Sequence, residues 1–65
     1  MSQKIDYNIK TSEELGWEPE WFGCSDFNEE LINAIKNFQK EMGISQDGMC
    51  GPGTFRRKFS ERAAE

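Results

Sequence analysis

Residues 27–43 read FNEELINAIKNFQKEMG, and the spacing of their apolar side chains decides the fold class. Leu31, Ala34, Ile35, Phe38 and Met42 recur at intervals of three and four, which puts them on one face of an α-helix. Asn28 suits the N-cap, with Asp26, three before Glu29, as the competing cap. Phe27 and Ile32 have the spacing of a hydrophobic staple. Glu29 and Glu30 complement the positive end of the helix dipole. Gly43 is placed to end the helix in a left-handed turn, after which Ile44 folds back on Phe38.

Downstream, residues 45–51 read SQDGMCG, a turn-rich connector. Pro52 then opens a last helix that runs to about Ala63, with Phe55, Phe59 and Ala63 as its buried face. Upstream lies WEPEWFG, residues 17–23, where Pro19 opens a single helical turn and Gly23 closes it. Thr11 and Glu14 have capping-box spacing, which predicts a short helix over about residues 12–16 capped by Gly16. Residues 1–10 show no helical period and read as an extended or frayed lead-in, with Ile5, Tyr7 and Ile9 alternating with polar residues. The expectation is one all-α domain over residues 1–65, made of three helices of unequal length joined by Gly-rich loops. Its core is led by Leu31, Ile35, Phe38, Met42, Ile44, Phe55 and Phe59.

Sixty-five residues allow one small domain and only a modest core. Hydrophobic residues make up 35% and charged residues 31%, at a mean hydropathy of −0.82, so the five Phe, two Trp and one Tyr must anchor the packing. Histidine is absent and the only cysteines are Cys24 and Cys50, too few ligands for structural zinc and no partner for a nucleophilic serine. Asp47-Gly48 lacks the alternating acids and late Glu of a calcium loop. No metal, cofactor or catalytic residue is expected, and the chain reads as a binding module rather than an enzyme. No apolar run approaches the roughly 18 residues of a membrane span. MSQKIDYNIK, residues 1–10, lacks the apolar stretch of a signal peptide, which predicts synthesis in the cytoplasm and two free thiols. The net charge of −4 is uneven: residues 1–53 carry ten acidic and four basic side chains, residues 54–65 four basic and two acidic. A chain this acidic is a poor ligand for nucleic acid, because phosphate contacts dominate that affinity.

Residues 34–54, AIKNFQKEMGISQDGMCGPGT, carry a more specific signal. Ala34, Ile35, Phe38, Gln39, Gly43, Ile44, Asp47, Gly48, Gly51, Pro52 and Thr54 stand in the order and spacing of a known pattern. It resembles the second half of the small peptidoglycan-binding domains, three-helix modules attached to many bacterial and phage wall hydrolases. A looser echo of their first half lies in LGW (15–17) and FG (22–23). Three features depart from the family: a shorter first helix, Lys58 at a usually aliphatic position of the third, and Cys50 at another. The resemblance implies a non-catalytic module that binds peptidoglycan in a shallow groove and brings an attached hydrolase, such as a phage endolysin, to its substrate. A phage enzyme of that kind is made without a signal peptide and reaches the wall once a lysis system releases it.

Within the motif-bearing half, residues 27–63, Phe38, Gly43, Gly48, Gly51, Pro52 and Thr54 read as structural: core, cap, turn and helix start. Gln39 lies beside the core stripe and either ties down the connector or faces a ligand. Asp47 is a turn former and a candidate ligand contact. Trp17 and Trp21 offer flat faces for sugar stacking, or bulk for a small core. Arg56, Arg57 and Lys58, with Arg62, form either a solvated helix face or an electrostatic hold on wall carboxylates, with Arg57 almost opposite the core. The alternative function is a cytoplasmic protein-interaction module on the same fold. DNA binding by the last two helices is disfavoured, because connector 43–51 is longer than a helix-turn-helix turn.

Overall fold

The computed structural model describes residues 3–64. Helix α1 spans Gln3–Leu15, a 3₁₀ turn spans Pro19–Phe22, and helices α2 and α3 span Glu29–Met42 and Pro52–Ala63. There is no strand among the described residues. The domain is all-α, as its periodicities imply.

Helix α2 is the organising element. Asn28 caps it, its side chain accepting from the Leu31 N–H at 3.2 Å. At the other end Gly43 is left-handed (φ +70), its N–H donating to the Lys40 carbonyl while the Ile44 N–H donates to that of Gln39. Those two bonds are the Schellman pattern and satisfy carbonyls the helix end would orphan. Leu31, Ile32, Ile35, Phe38 and Gln39 are buried along one side, and α2 packs on both α1 and the 3₁₀ turn. The 3₁₀ turn forms as expected, with Pro19 at its start and Gly23 (φ +80) at its end.

The core is built on Trp17, Leu31, Ile35 and Cys50, with Leu15, Trp21, Phe22, Cys24, Phe27 and Phe55 packed around them. Phe22 meets Trp17 edge-on at 5.6 Å and Phe38 edge-on at 5.8 Å, geometries aromatic pairs prefer. Both cysteines are free.

Three expectations are corrected. First, residues 3–10 are helical, not an extended lead-in, and α1 reaches back to Gln3. Its buried positions are Asn8 and Thr11, spaced by one helical turn but polar, so no apolar period marks the helix. Thr11 is not a cap. From mid-helix it donates to the Asn8 carbonyl at 3.3 Å and accepts from the Trp17 indole N–H at 3.3 Å, while Glu14 is exposed. Second, Phe59 is 54% exposed and Met42 is 37% exposed, so neither is core. In α3 the inward edge is set by Thr54, Phe55 and Lys58, and this rotation leaves Phe59 and Ala63 outside. Met42 opens onto the cleft beside Gly53 and Arg56. Third, Lys58 is not a solvated residue. Its side chain is 13% exposed, bonds Glu61 at 3.0 Å, and places its ammonium 4.9 Å from the Phe38 ring centroid and 5.2 Å from that of Phe22. The apolar stem packs over those rings while the charge stays beside Glu61 and the ring faces.

Candidate functional site

The connector between α2 and α3 is held by two buried amides, one from α2 and one from α1. Gln39, 1% exposed, accepts from the Gly48 N–H at 2.9 Å through its Oε1. Its Nε2, with two hydrogens to share, lies within hydrogen-bond distance of three acceptors: Asp47 Oδ1 (2.9 Å), the Met49 carbonyl (3.1 Å) and Thr54 Oγ1 (3.1 Å). Asn8, also 1% exposed, reaches the same loop from α1: its Nδ2 donates to the Gly48 carbonyl at 3.1 Å and its Oδ1 accepts from the Cys50 N–H at 2.9 Å. Gly48 is thus gripped on its N–H by α2 and on its carbonyl by α1. Buried amides satisfied this fully stiffen whatever they hold.

Two glycines here stand close to neighbouring side chains, and for one of them glycine is required. Gly48 has φ +75, and a Cβ on it would lie 2.6 Å from Ile32 Cγ2, so both conformation and space exclude a side chain. A Cβ on Gly51 would come within 2.9 Å of the Tyr7 hydroxyl. That atom is the outer end of a partly exposed side chain, which can move to admit it. Asp47 Oδ1 also accepts from the Met49 N–H at 2.9 Å, the local bond by which Asp makes turns. Gly51 is the N-cap of α3 and Pro52 its first residue.

This braced loop forms one wall of an open cleft of 390 Å³. Asp47, Met49 and Gln39 line it from the connector and α2, Pro52, Gly53, Thr54 and Arg57 from α3, and Tyr7 and Ile44 line it as well. Gly53 and Arg57 also line a second hollow with Met42, Arg56 and Ser60, so the two are continuous over α3.

Of the residues singled out from sequence, the cleft brings together Gln39, Asp47 and Arg57 with Gly51, Pro52 and Thr54; Arg56 lies in the adjoining hollow. The others lie elsewhere. Trp17 is 2% exposed, bonded through its indole N–H and packed by Phe22 and Phe27, so no face of it is open to a sugar. Trp21 is sandwiched between Phe55, stacked at 5.8 Å, and the Arg62 guanidinium, 4.4 Å from its ring centroid. Lys58 points into the Phe22 and Phe38 rings, away from the cleft. Gln39 ties down the connector, the first of its two readings, and only borders the cleft. Arg57 lies at the cleft's edge, on the flank of α3, rather than opposite the core. Tyr7 was not visible as a site residue, because the stretch containing it does not read as helix.

A family model for the peptidoglycan binding domain matches residues 24–57, just over half of the chain. The chain belongs to that family. No curated protein and no solved structure matches it. The peptidoglycan-binding domain is a binding domain and is not itself catalytic. The matched segment contains all of α2, the connector and the first half of α3, and therefore supplies every wall of the cleft except Tyr7. α1 lies outside the match, yet its Asn8 completes the clamp on the matched connector. Cys50 sits at the bottom of that arrangement, fully buried, and burial pushes its thiol up to about 12. It is a small core residue rather than a reactive one.

Proposed function

We propose that this domain contacts peptidoglycan through the cleft between connector and α3, and that it serves to hold an attached wall hydrolase on its substrate. One observation carries the reading: apart from Tyr7, the cleft walls are made by the residues of the family match, with the connector held by Gln39 and Asn8. A preformed groove avoids the ordering cost of a mobile one, which matters where a shallow site limits affinity. Tethering then turns weak binding into a high local concentration of the attached enzyme. The site of action in this reading is the bacterial wall.

Gly53 gives a clean test. It faces the cleft, its φ is ordinary, and a Cβ on it would meet no atom within 4 Å. Gly53→Trp should fill the cleft and leave the fold intact. Wild-type protein is expected to co-sediment with purified sacculi and Gly53→Trp to stay in the supernatant, with equal melting temperatures. Equal sedimentation of both would place the contact surface elsewhere.

A further inference from the structure

We propose that the cleft reads the free amino-acid head of a diamino-diacid residue in the peptidoglycan stem peptide, taking its ammonium on Asp47 and its carboxylate on Arg57. This rests on the cleft being the peptidoglycan contact. Asp47 and Arg57 are the only charged side chains among the described residues that line it, and they have opposite signs. They do not pair with each other, and neither makes an ion pair with any described residue. Asp47 is held in place: Oδ1 accepts from Gln39 Nε2 and from the Met49 N–H, and Oδ2 makes no hydrogen bond to any described residue. That second oxygen is an open acceptor on a fixed carboxylate. Arg57 stands on the second turn of α3, exposed, with all its guanidinium donors free of protein partners among the described residues.

A cleft that holds one acid and one base apart discriminates by charge pattern. A lone carboxylate gains Arg57 but meets Asp47, and a lone ammonium gains Asp47 but meets Arg57. A head group with both charges satisfies both, each through a charge-assisted hydrogen bond. In a peptidoglycan stem the terminal and branch carboxyls are lone anions. The side-chain end of a diamino-diacid keeps an ammonium and a carboxylate on one carbon until cross-linking acylates the amine. The proposal therefore carries a second consequence: uncross-linked stems are preferred.

The test uses three soluble disaccharide-tripeptides that end in meso-diaminopimelate, in diaminopimelate with its side-chain carboxyl amidated, or in lysine. Affinities are measured by calorimetry beside sacculus co-sedimentation. Exposed charge contacts are individually weak, so the free diamino-diacid is expected to bind about three- to tenfold more tightly than either of the others. Arg57→Gln should erase the preference for free acid over amide without weakening binding of the amide. Asp47→Asn keeps an Oδ1 acceptor for the clamp, which an unchanged melting temperature verifies, and should lose the preference for the free amine, read against a fourth tripeptide acetylated at that amine. Equal affinity for all three muropeptides, or sacculus binding with no muropeptide binding, overturns this proposal and leaves peptidoglycan binding standing. No binding to sacculi or to any muropeptide overturns both.

Discussion

Replacing Asn8 by alanine is the most informative single perturbation of the fold, because the side chain is small and its two bonds span 40 and 42 residues of sequence. The change removes the donor to the Gly48 carbonyl and the acceptor from the Cys50 N–H, in a site where Asn8 is 1% and Cys50 0% exposed. Each orphaned buried group costs about 1–3 kcal/mol, so the loss of both should be about 2–6 kcal/mol. A domain of this size has about 3–10 kcal/mol in total. The melting temperature should therefore fall by about 10 °C or more. The assay is thermal melting by circular dichroism with urea unfolding followed by tryptophan fluorescence, Trp17 being the buried reporter. Asn8→Asp sharpens the test: it keeps an acceptor for Cys50 but sets a carboxylate oxygen against the Gly48 carbonyl. The folded state raises the pKa of that introduced carboxyl, so the variant's deficit should shrink as pH falls and the protonated group donates. Because Asn8 and Gln39 grip the same residue, their alanine substitutions should be less than additive. An Asn8→Ala protein melting within two or three degrees of wild type would refute the clamp as a source of stability.

Three further outcomes follow from the same geometry. Gly48→Ala should cost about 2–4 kcal/mol, from left-handed backbone plus contact with Ile32, whereas Gly43→Ala, left-handed but with open space, should cost only about 1–2 kcal/mol; equal losses in urea titration would remove the steric half of the argument. Lys58→Leu should leave stability within about 1 kcal/mol of wild type, since an aliphatic chain replaces the stem over Phe22 and Phe38 and only weak surface pairing is lost; a large loss would mean the charge itself holds α3. Cys50, pushed up to about 12 by burial, ionises later in the folded than in the unfolded chain. Its contribution is complete below the ordinary thiol range and is lost as pH rises from about 9 toward 12, so urea midpoints should fall over that window in wild type and fall less in Cys50→Ala.

How far the sequence discloses this molecule depends on what fills each buried position. α2 is legible because its inward face is apolar and its caps, Asn28 and Gly43, are residues whose chemistry suits those posts. The 3₁₀ turn is legible from Pro19 and Gly23 for the same reason. α1 is not, since its buried face is Asn8 and Thr11, polar side chains satisfied by bonds to the distant connector and to Trp17. No local period announces a helix of that kind. The orientation of α3 is hidden likewise, because Thr54 and Lys58 turn inward where the spacing of Phe55 and Phe59 suggests otherwise. At the candidate site, the connector motif and Arg57 could be read directly. Tyr7 could not, and the two tryptophans were ambiguous until their neighbours were seen: a core this small uses them for packing.

In the proposed function, peptidoglycan is bound in the cleft over Asp47, Gly53 and Arg57. An amide chemical-shift titration of the folded domain with a soluble muropeptide tests it most directly. Saturable shifts are expected at Tyr7, Ser45, Met49, Gly53 and Arg57, with the Trp21 and Phe59 side unchanged. Shifts confined to Trp21, Phe59 and Arg62, with the cleft residues still, would contradict it.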